Sequence, residues 1–274
     1  MLARFTGAAL RGLLVALVVA VPSLLLAVRA PEIATLLALV AGLLTFAEYN
    51  SSYPSIVEFR SAPPLNRLRY VALLVMVLAL TLIAKHRVEP TNLTALVNGL
   101  GGLLGHWIDF PYSPVRLAVL MLPADAPAAT VETLRTAAAL SYVIALVTVA
   151  AFLLVVRGFG WPVAHGAFNV WTNLPLFDPT AGGDVVQRLQ RDGQINTVLG
   201  ILLPFAIPAL IKLGSALIQP LPFGEPQTMI WLISAWAFLP ASMIMRGIAL
   251  LRIAALIAQK RRRAYADAEA AQVA

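Results

Sequence analysis

The chain has 274 residues, of which 60% are hydrophobic and only 12% are charged, with 20 Lys and Arg against 13 Asp and Glu. A soluble domain carries about 25% charged residues, so this composition excludes a water-soluble globular protein and indicates a membrane protein of several spans. The chain has no cysteine, which excludes disulfides, thiolate metal sites and thiol nucleophiles. The net charge of +7 fits basic cytoplasmic loops better than a nucleic-acid surface, so no nucleic-acid partner is expected.

Six apolar stretches are candidates for membrane-spanning helices, since about 20 helical residues cross about 30 Å of hydrocarbon. The first resembles a signal peptide with a cleavage site at Ala30, but Pro31 would directly follow the cut, so a retained helix is favoured. The last is followed by Arg246 and is predicted to continue as a basic helix to the KRRR run at 260–263. The six predicted spans are residues 12–28, 33–47, 70–84, 136–156, 195–218 and 228–245.

These spans predict an all-α, polytopic bundle of about six transmembrane helices. We expect one integral membrane domain over residues 1–274, with a short cytoplasmic tail at 264–274. If both termini are cytoplasmic, most of the 20 Lys and Arg residues lie on the cytoplasmic side, as the positive-inside rule requires. The excess of Arg over Lys, with abundant Ala and Leu, is typical of a GC-rich bacterial genome. We therefore expect a multi-pass protein of the bacterial inner membrane with both termini in the cytoplasm.

Two predicted cytoplasmic loops, residues 48–69 and 158–194, are candidates for contact with a partner. Serine and proline residues in the first loop preclude a long helix. Its candidate partner-docking residues are Arg60, Arg67 and Arg69. The alternative is that this loop packs on its own bundle. In the second loop, residues 185–192 (VVQRLQRD) are predicted to form a short amphipathic helix.

The segment of residues 85–135 is predicted to lie on the outer side, between the third and fourth spans. A helix is expected to begin near Asn92, and its apolar residues 93–107 are too few to span, so it would be interfacial or re-entrant. A second short helix is expected at 114–122. Small residues let helices approach closely, and the first helix carries Gly99, Gly101, Gly102 and Gly105. The segment either shapes a cavity or covers the outer end of the bundle.

His106 and Asp109 are the most suggestive pair of chemical groups, lying three residues apart on the outer segment. A histidine beside a carboxylate can act as a general base or as a metal ligand. One His and one Asp do not complete a metal site, so neither a metal nor a cofactor is expected. The alternative is that both are ordinary polar groups at the membrane edge.

Lys212 is the one charged residue well inside a predicted span, where it either reaches the outer interface or acts as a counter-ion. Pro204 and Pro208 precede it and can kink the fifth predicted helix. No Asp or Glu lies within the six apolar cores. Ion-coupled transporters usually bury such groups as relays, so a transporter of that kind is disfavoured.

The leading functional hypothesis is a non-catalytic accessory, scaffold or assembly subunit of a membrane complex. Its expected partners are the lipid bilayer and either another membrane protein or a second copy of the chain. The alternative is a small-solute or lipid transporter or channel with a path past the fifth helix, and a lipid-modifying enzyme using His106 and Asp109 is the third hypothesis. The candidate pathway residues are Lys212, Gly101, Gly105, His106 and Asp109.

Overall fold

A computed structural model describes residues 2–26, 31–162, 168–177, 182–214 and 222–273. Within these residues the fold is all-α, with nine helices joined by turns and loops. In chain order they are α1 (Leu2–Leu25), α2 (Pro31–Asn50), α3 (Leu65–His86), α4 (Asn92–Ile108), α5 (Pro114–Val119), α6 (Ala128–Gly158), α7 (Val170–Asn173), α8 (Val185–Gly214) and α9 (Pro226–Val273).

Six of the described helices are long and apolar enough to cross a membrane: α1, α2, α3, α6, α8 and α9. They confirm the predicted helical membrane class, and each predicted span coincides with one of them. The span ends at 27–28 and 215–218, and the possible cleavage site at Ala30, lie outside the described residues. We call the end of the bundle where α1 begins and α2 ends the inner end, and the opposite end the outer end.

The outer segment folds as two helices whose starts follow from their capping residues. Thr91 caps α4, because its side chain accepts a hydrogen bond from the Thr94 amide while Thr94 bonds back to the Thr91 amide. Ser113 caps α5, because its side chain accepts a hydrogen bond from the Arg116 amide, and Pro114 stands at the first helical position. Helix α4 therefore matches its prediction closely, whereas α5 ends at Val119, before the predicted end at residue 122.

Two apolar cores hold the bundle together. The outer core packs α3, α5 and α6 against the first half of α9, with Leu80, Leu134 and Ile233 fully buried. The inner core is built partly from loops: Phe59 and Trp161 are buried against Met245 and other residues of α9. The loop of residues 51–64 thus packs on its own bundle, which was one of the two interpretations of the sequence.

Helix α8 begins earlier than predicted, and this contradicts one of the predictions from the sequence. Residues 185–192 do not form a separate short helix but are the first turns of α8, continuous with the apolar span. The physical reason is that α9 continues past the apolar region and covers them. Val186 and Leu189 are buried in the inner core, and the two helices meet closely where Gly193 faces Gly247. A glycine at both positions lets the backbones approach.

The prolines of α8 leave it continuous, and one of them creates a bonding site for another helix. Pro208 has no N–H, so the Pro204 carbonyl four residues earlier lacks its helical donor. The indole Nε1–H of Trp236 on α9 donates to that carbonyl at 3.0 Å. The Trp236 ring also stacks on Tyr142 of α6, with ring centroids 5.9 Å apart. The proline thus helps to join three helices.

Helix α2 lies at the edge of the bundle. It packs on α1, where a methyl group added to Gly12 would lie 2.6 Å from the Gly42 carbonyl oxygen. Within the described residues α2 makes no comparable contact with any helix besides α1. Its large apolar side chains, from Ile33 to Leu44, remain exposed and are available to lipid or to another protein.

Candidate functional site

A cavity of about 740 Å³ opens at the inner end of the bundle, between α1, α2, α3 and the loop of residues 51–64. We call it the basic cavity. Its wall on α1 includes Leu10, Leu14 and Val15, which lie on one helical face. On α3 the wall is formed by Asn66, Arg67, Tyr70 and Val71, again on one face. The Tyr70 hydroxyl donates to the Leu14 carbonyl at 3.2 Å and joins the two helices above the cavity.

The floor of the cavity is a loop that the second inner loop holds in place. Phe59 is buried and has a φ of 55°, a left-handed conformation that is costly for a bulky residue. Its amide donates to the Asn173 carbonyl at 2.6 Å, and the Ser61 amide donates to the Asn173 side-chain oxygen at 2.9 Å. Two hydrogen bonds to one residue of α7 thus fix the loop next to Arg60.

Three arginines line the cavity: Arg11, Arg60 and Arg67. The Arg11 guanidinium lies over the Tyr49 ring, 4.7 Å from its centroid, and donates one bond to the Gly7 carbonyl at 2.7 Å. Arg60 uses Nη1 for two bonds of 2.7 Å to the carbonyls of Glu48 and Ser51. A guanidinium has five N–H donors, so most of the donor capacity at the cavity is not used by the part of the chain that the structure describes.

Arg67 differs from the other two cations of the cavity in its contacts. Its side chain is exposed at the first turns of α3. Among the residues that the structure describes, Arg67 has no ion-pair or hydrogen-bond partner. Burial, together with the neighbouring charge of Arg4, lowers the pKa of Arg60 from its usual range. Two guanidinium charges near each other repel, and an anion in the cavity would relieve this repulsion.

The two neighbouring carboxylates, Glu48 and Glu58, form no ion pair with an arginine of the cavity in the described part of the chain, although the charge of Glu48 partly offsets the lowering of the Arg60 pKa. Glu48 accepts hydrogen bonds from the amides of Ile56 and Val57 at 3.0 and 3.1 Å, and it also bonds to Ser55. Glu58 forms a bidentate ion pair with Arg246 of α9, at 2.5 and 2.8 Å. Within the described residues no Asp or Glu lines the cavity itself. The charged residues of its lining are therefore all cationic.

The structure separates the three arginines that the sequence grouped as docking candidates. Arg60 and Arg67 meet at the basic cavity. Arg69 instead points into the bundle, where it donates to the Ser242 carbonyl of α9 at 2.7 Å. The partner-docking role of the three residues stays a prediction, and Arg67 is the one that offers an exposed guanidinium.

At the outer end, Asp109 is engaged by arginines. Its side chain is 6% exposed and forms ion pairs of 2.8 Å with Arg116 and 2.7 Å with Arg135. Arg135 also pairs with Glu132. His106 is exposed on the last turn of α4. These two ion pairs tie the end of α4 to α5 and α6.

The remaining candidate pathway residues take part in helix contacts. Gly101 packs on Thr136 and Gly105 on Arg135, both on α6. Lys212 donates to the Leu122 carbonyl at 3.1 Å, just after α5. Four cavities of the described part of the chain, with volumes from about 290 to 740 Å³, are lined by none of the five pathway residues. A path through them stays a prediction.

The basic cavity was missed at the sequence level because its cations come from separate segments. Arg11 was counted only as a topology signal, and Arg60 and Arg67 were assigned to partner docking. Across the described ranges, no group of three or more His, Cys, Asp or Glu side chains is arranged to hold a metal ion. Comparison with known protein families, curated proteins and solved structures finds no match to this chain.

Proposed function

We propose that this protein is a non-catalytic accessory, scaffold or assembly subunit of a complex in the bacterial inner membrane, with both termini in the cytoplasm. The observation that supports this proposal best is the far end of α9. Residues 259–272, which we call the C-terminal arm, are all exposed. They continue α9 without a break, so the bundle fixes the direction of the arm.

Apart from the ion pair of Arg261 with Asp184, the arm gains little stability from its own chain. A helix that is polar on all sides has no apolar face to bury. Arg263 precedes Asp267 by four residues, which is the less favourable order for an ion pair along a helix. Asp267 and Glu269 also lie near the negative end of the helix dipole. Contact with a partner would supply the missing stabilisation, with Tyr265 as an exposed aromatic anchor.

Helix α2 supports the same proposal at the level of the membrane. Transmembrane helices associate through close packing of side chains and backbones. Since α2 packs mainly on α1, its other faces offer a surface for a helix of a second protein or of a second copy. The exposed fractions of its large apolar side chains range from 45% at Val40 to 66% at Leu43.

The test compares three lengths of the chain purified from native membranes in a mild detergent: the full chain, a chain ending at Gln272 and a chain ending at Arg263. Mass spectrometry of the intact complexes gives partner identity and stoichiometry. We expect a stoichiometric partner with the first two chains and its loss from the third, which should still elute as a folded bundle. A full-length chain that purifies alone would refute the subunit proposal. Equal retention of the partner by all three chains would remove the arm as its support.

A further inference from the structure

The lining of the basic cavity is complementary to a phospholipid rather than to a soluble anion, because it combines cations with apolar side chains. On α1 and α3 the cations Arg11 and Arg67 lie nearer the inner end than the apolar residues Leu14 and Val71, which follow them by about one turn. Four helical residues span about 6 Å, which is the separation along the helix between the cations and these apolar side chains.

The cavity is also open to the side, where lipid would lie. Leu10 on α1 and Val71 on α3 line it, yet their side chains are 57% and 52% exposed. An acyl chain could therefore run between α1 and α3 while its head group faces the arginines. The volume of about 740 Å³ falls within the usual range of ligand pockets.

We infer that the basic cavity binds one anionic phospholipid of the inner leaflet, with its phosphate held by Arg11, Arg60 and Arg67 and an acyl chain against Leu14 and Val71. Guanidinium groups suit this task, because their forked N–H donors match the oxygens of a phosphate. The carboxylates of Glu48 and Glu58 are bound to loop amides and to Arg246, so they do not compete for these donors. This inference is independent of the proposed subunit function.

The experiment measures lipid binding to the full-length protein in detergent by native mass spectrometry, with phosphatidylglycerol as the probe. Arg67→Ala removes an exposed arginine without a protein partner, so the fold should be retained, and a melting curve verifies this. Loss of a charge-assisted contact should weaken phosphatidylglycerol binding by about tenfold. The matched control is Arg157→Ala, which removes an exposed arginine at the inner end of α6 and should leave binding unchanged. Arg67→Lys keeps the charge but loses the fork, and it should give an intermediate affinity.

A second pair of variants tests the acyl-chain part of the site. Val71→Trp would fill the cavity, whereas Val75→Trp places the same side chain one turn along α3, at another exposed position outside the lining. We expect Val71→Trp to weaken phosphatidylglycerol binding and Val75→Trp to leave it unchanged. Equal loss in Arg67→Ala and Arg157→Ala would show unspecific attraction and overturn the inference. It would also be overturned if inorganic phosphate displaced the lipid while Val71→Trp had no effect, since the site would then take a free anion.

Discussion

The contact between α4 and α6 can be tested with two neighbouring glycines that differ in their surroundings. A methyl group on Gly101 would lie 2.7 Å from Thr136 Cγ2 and 3.1 Å from the Thr136 carbonyl oxygen. A methyl group on Gly102 would meet no atom within 4 Å. The substitutions Gly101→Ala and Gly102→Ala therefore add the same group to the same helix, and only the first adds it to a packed interface.

The expected effects on the free energy of unfolding have opposite signs. In a helix interior, alanine is favoured over glycine by about 1 kcal/mol, so Gly102→Ala should be neutral or stabilising. Forcing a methyl group into a packed contact typically costs about 1–3 kcal/mol, partly offset by the same propensity gain. The free energy of unfolding of Gly101→Ala should therefore be lower than that of Gly102→Ala by about 1–3 kcal/mol, which corresponds to a melting temperature roughly 3–10 °C lower for a chain of this size.

Thermal unfolding in detergent, followed by tryptophan fluorescence and by the fraction that elutes as monodisperse protein, measures this difference. Thr136→Ser removes Cγ2, the nearest atom to the added methyl group, and keeps the hydroxyl. In the double variant Gly101→Ala/Thr136→Ser, part of the lost stability should return. If Gly101→Ala melts at or above the temperature of Gly102→Ala, then α4 does not pack on α6 as described.

Three further predictions concern other parts of the chain. Replacing Trp236 by Phe should cost about 1–3 kcal/mol in the free energy of unfolding, because the Pro204 carbonyl would lose its donor inside the bundle; an unchanged melting curve would contradict this bond. The hydrogen bond from Arg261 holds the pKa of Asp184 below its usual range. The contact between the two side chains should therefore be fully present above the pKa that Asp184 has in the unfolded chain. It should be lost as the pH falls through the lower pKa that Asp184 has in the folded protein. Protection of residues 182–190 from hydrogen exchange, corrected for the pH dependence of the intrinsic exchange rate, should fall over that acidic range in the wild type and should already be reduced at neutral pH in Arg261→Ala; a wild-type profile in the variant would refute the contact. A reporter inserted after Tyr112 should be found outside and one at the C-terminus inside, and the same compartment for both would break the six-span topology.

Much of the fold follows from the sequence because a chain that crosses a membrane as helices needs long apolar segments, which can be recognised in the sequence. Apolar length alone located the six long helices, and capping residues such as Thr91 located the start of α4. The prediction failed in part at residues 185–192. These residues are helical, as their amphipathic pattern predicts, but they are continuous with the membrane-spanning part of α8 instead of forming a separate short helix. The apolar face of this segment, with Val186 and Leu189, is covered by an extension of α9 that lies about 60 residues later in the chain, and local periodicity carries no information on such a neighbour.

The candidate sites were harder to predict, because a count of charged residues does not show which acidic and basic side chains form ion pairs with each other. Asp109 next to His106 suggested a chemical role, yet its carboxylate is held by Arg116 and Arg135, which lie 7 and 26 residues further along the chain. Arg60, Arg67 and Arg69 appeared as one basic group. The helical period of α3 directs Arg67 to the cavity, and it directs Arg69, two residues later, towards α9.

The loop of residues 51–64 explains why the arginines of the cavity have no ion-pair partner among the described residues. Glu48 and Glu58 are the acidic residues closest to Arg60 and Arg67 in sequence, and each could have formed an ion pair with one of them. Instead, Glu48 bonds to the amides of residues 55–57, and Glu58 pairs with Arg246, which must be compensated because it is partly buried on α9. The carboxylates thus order the loop that positions Arg60, while the cavity retains its charge. Basic residues that the positive-inside rule treats only as a topology signal are in this chain gathered around one opening, where they can also select an anionic head group.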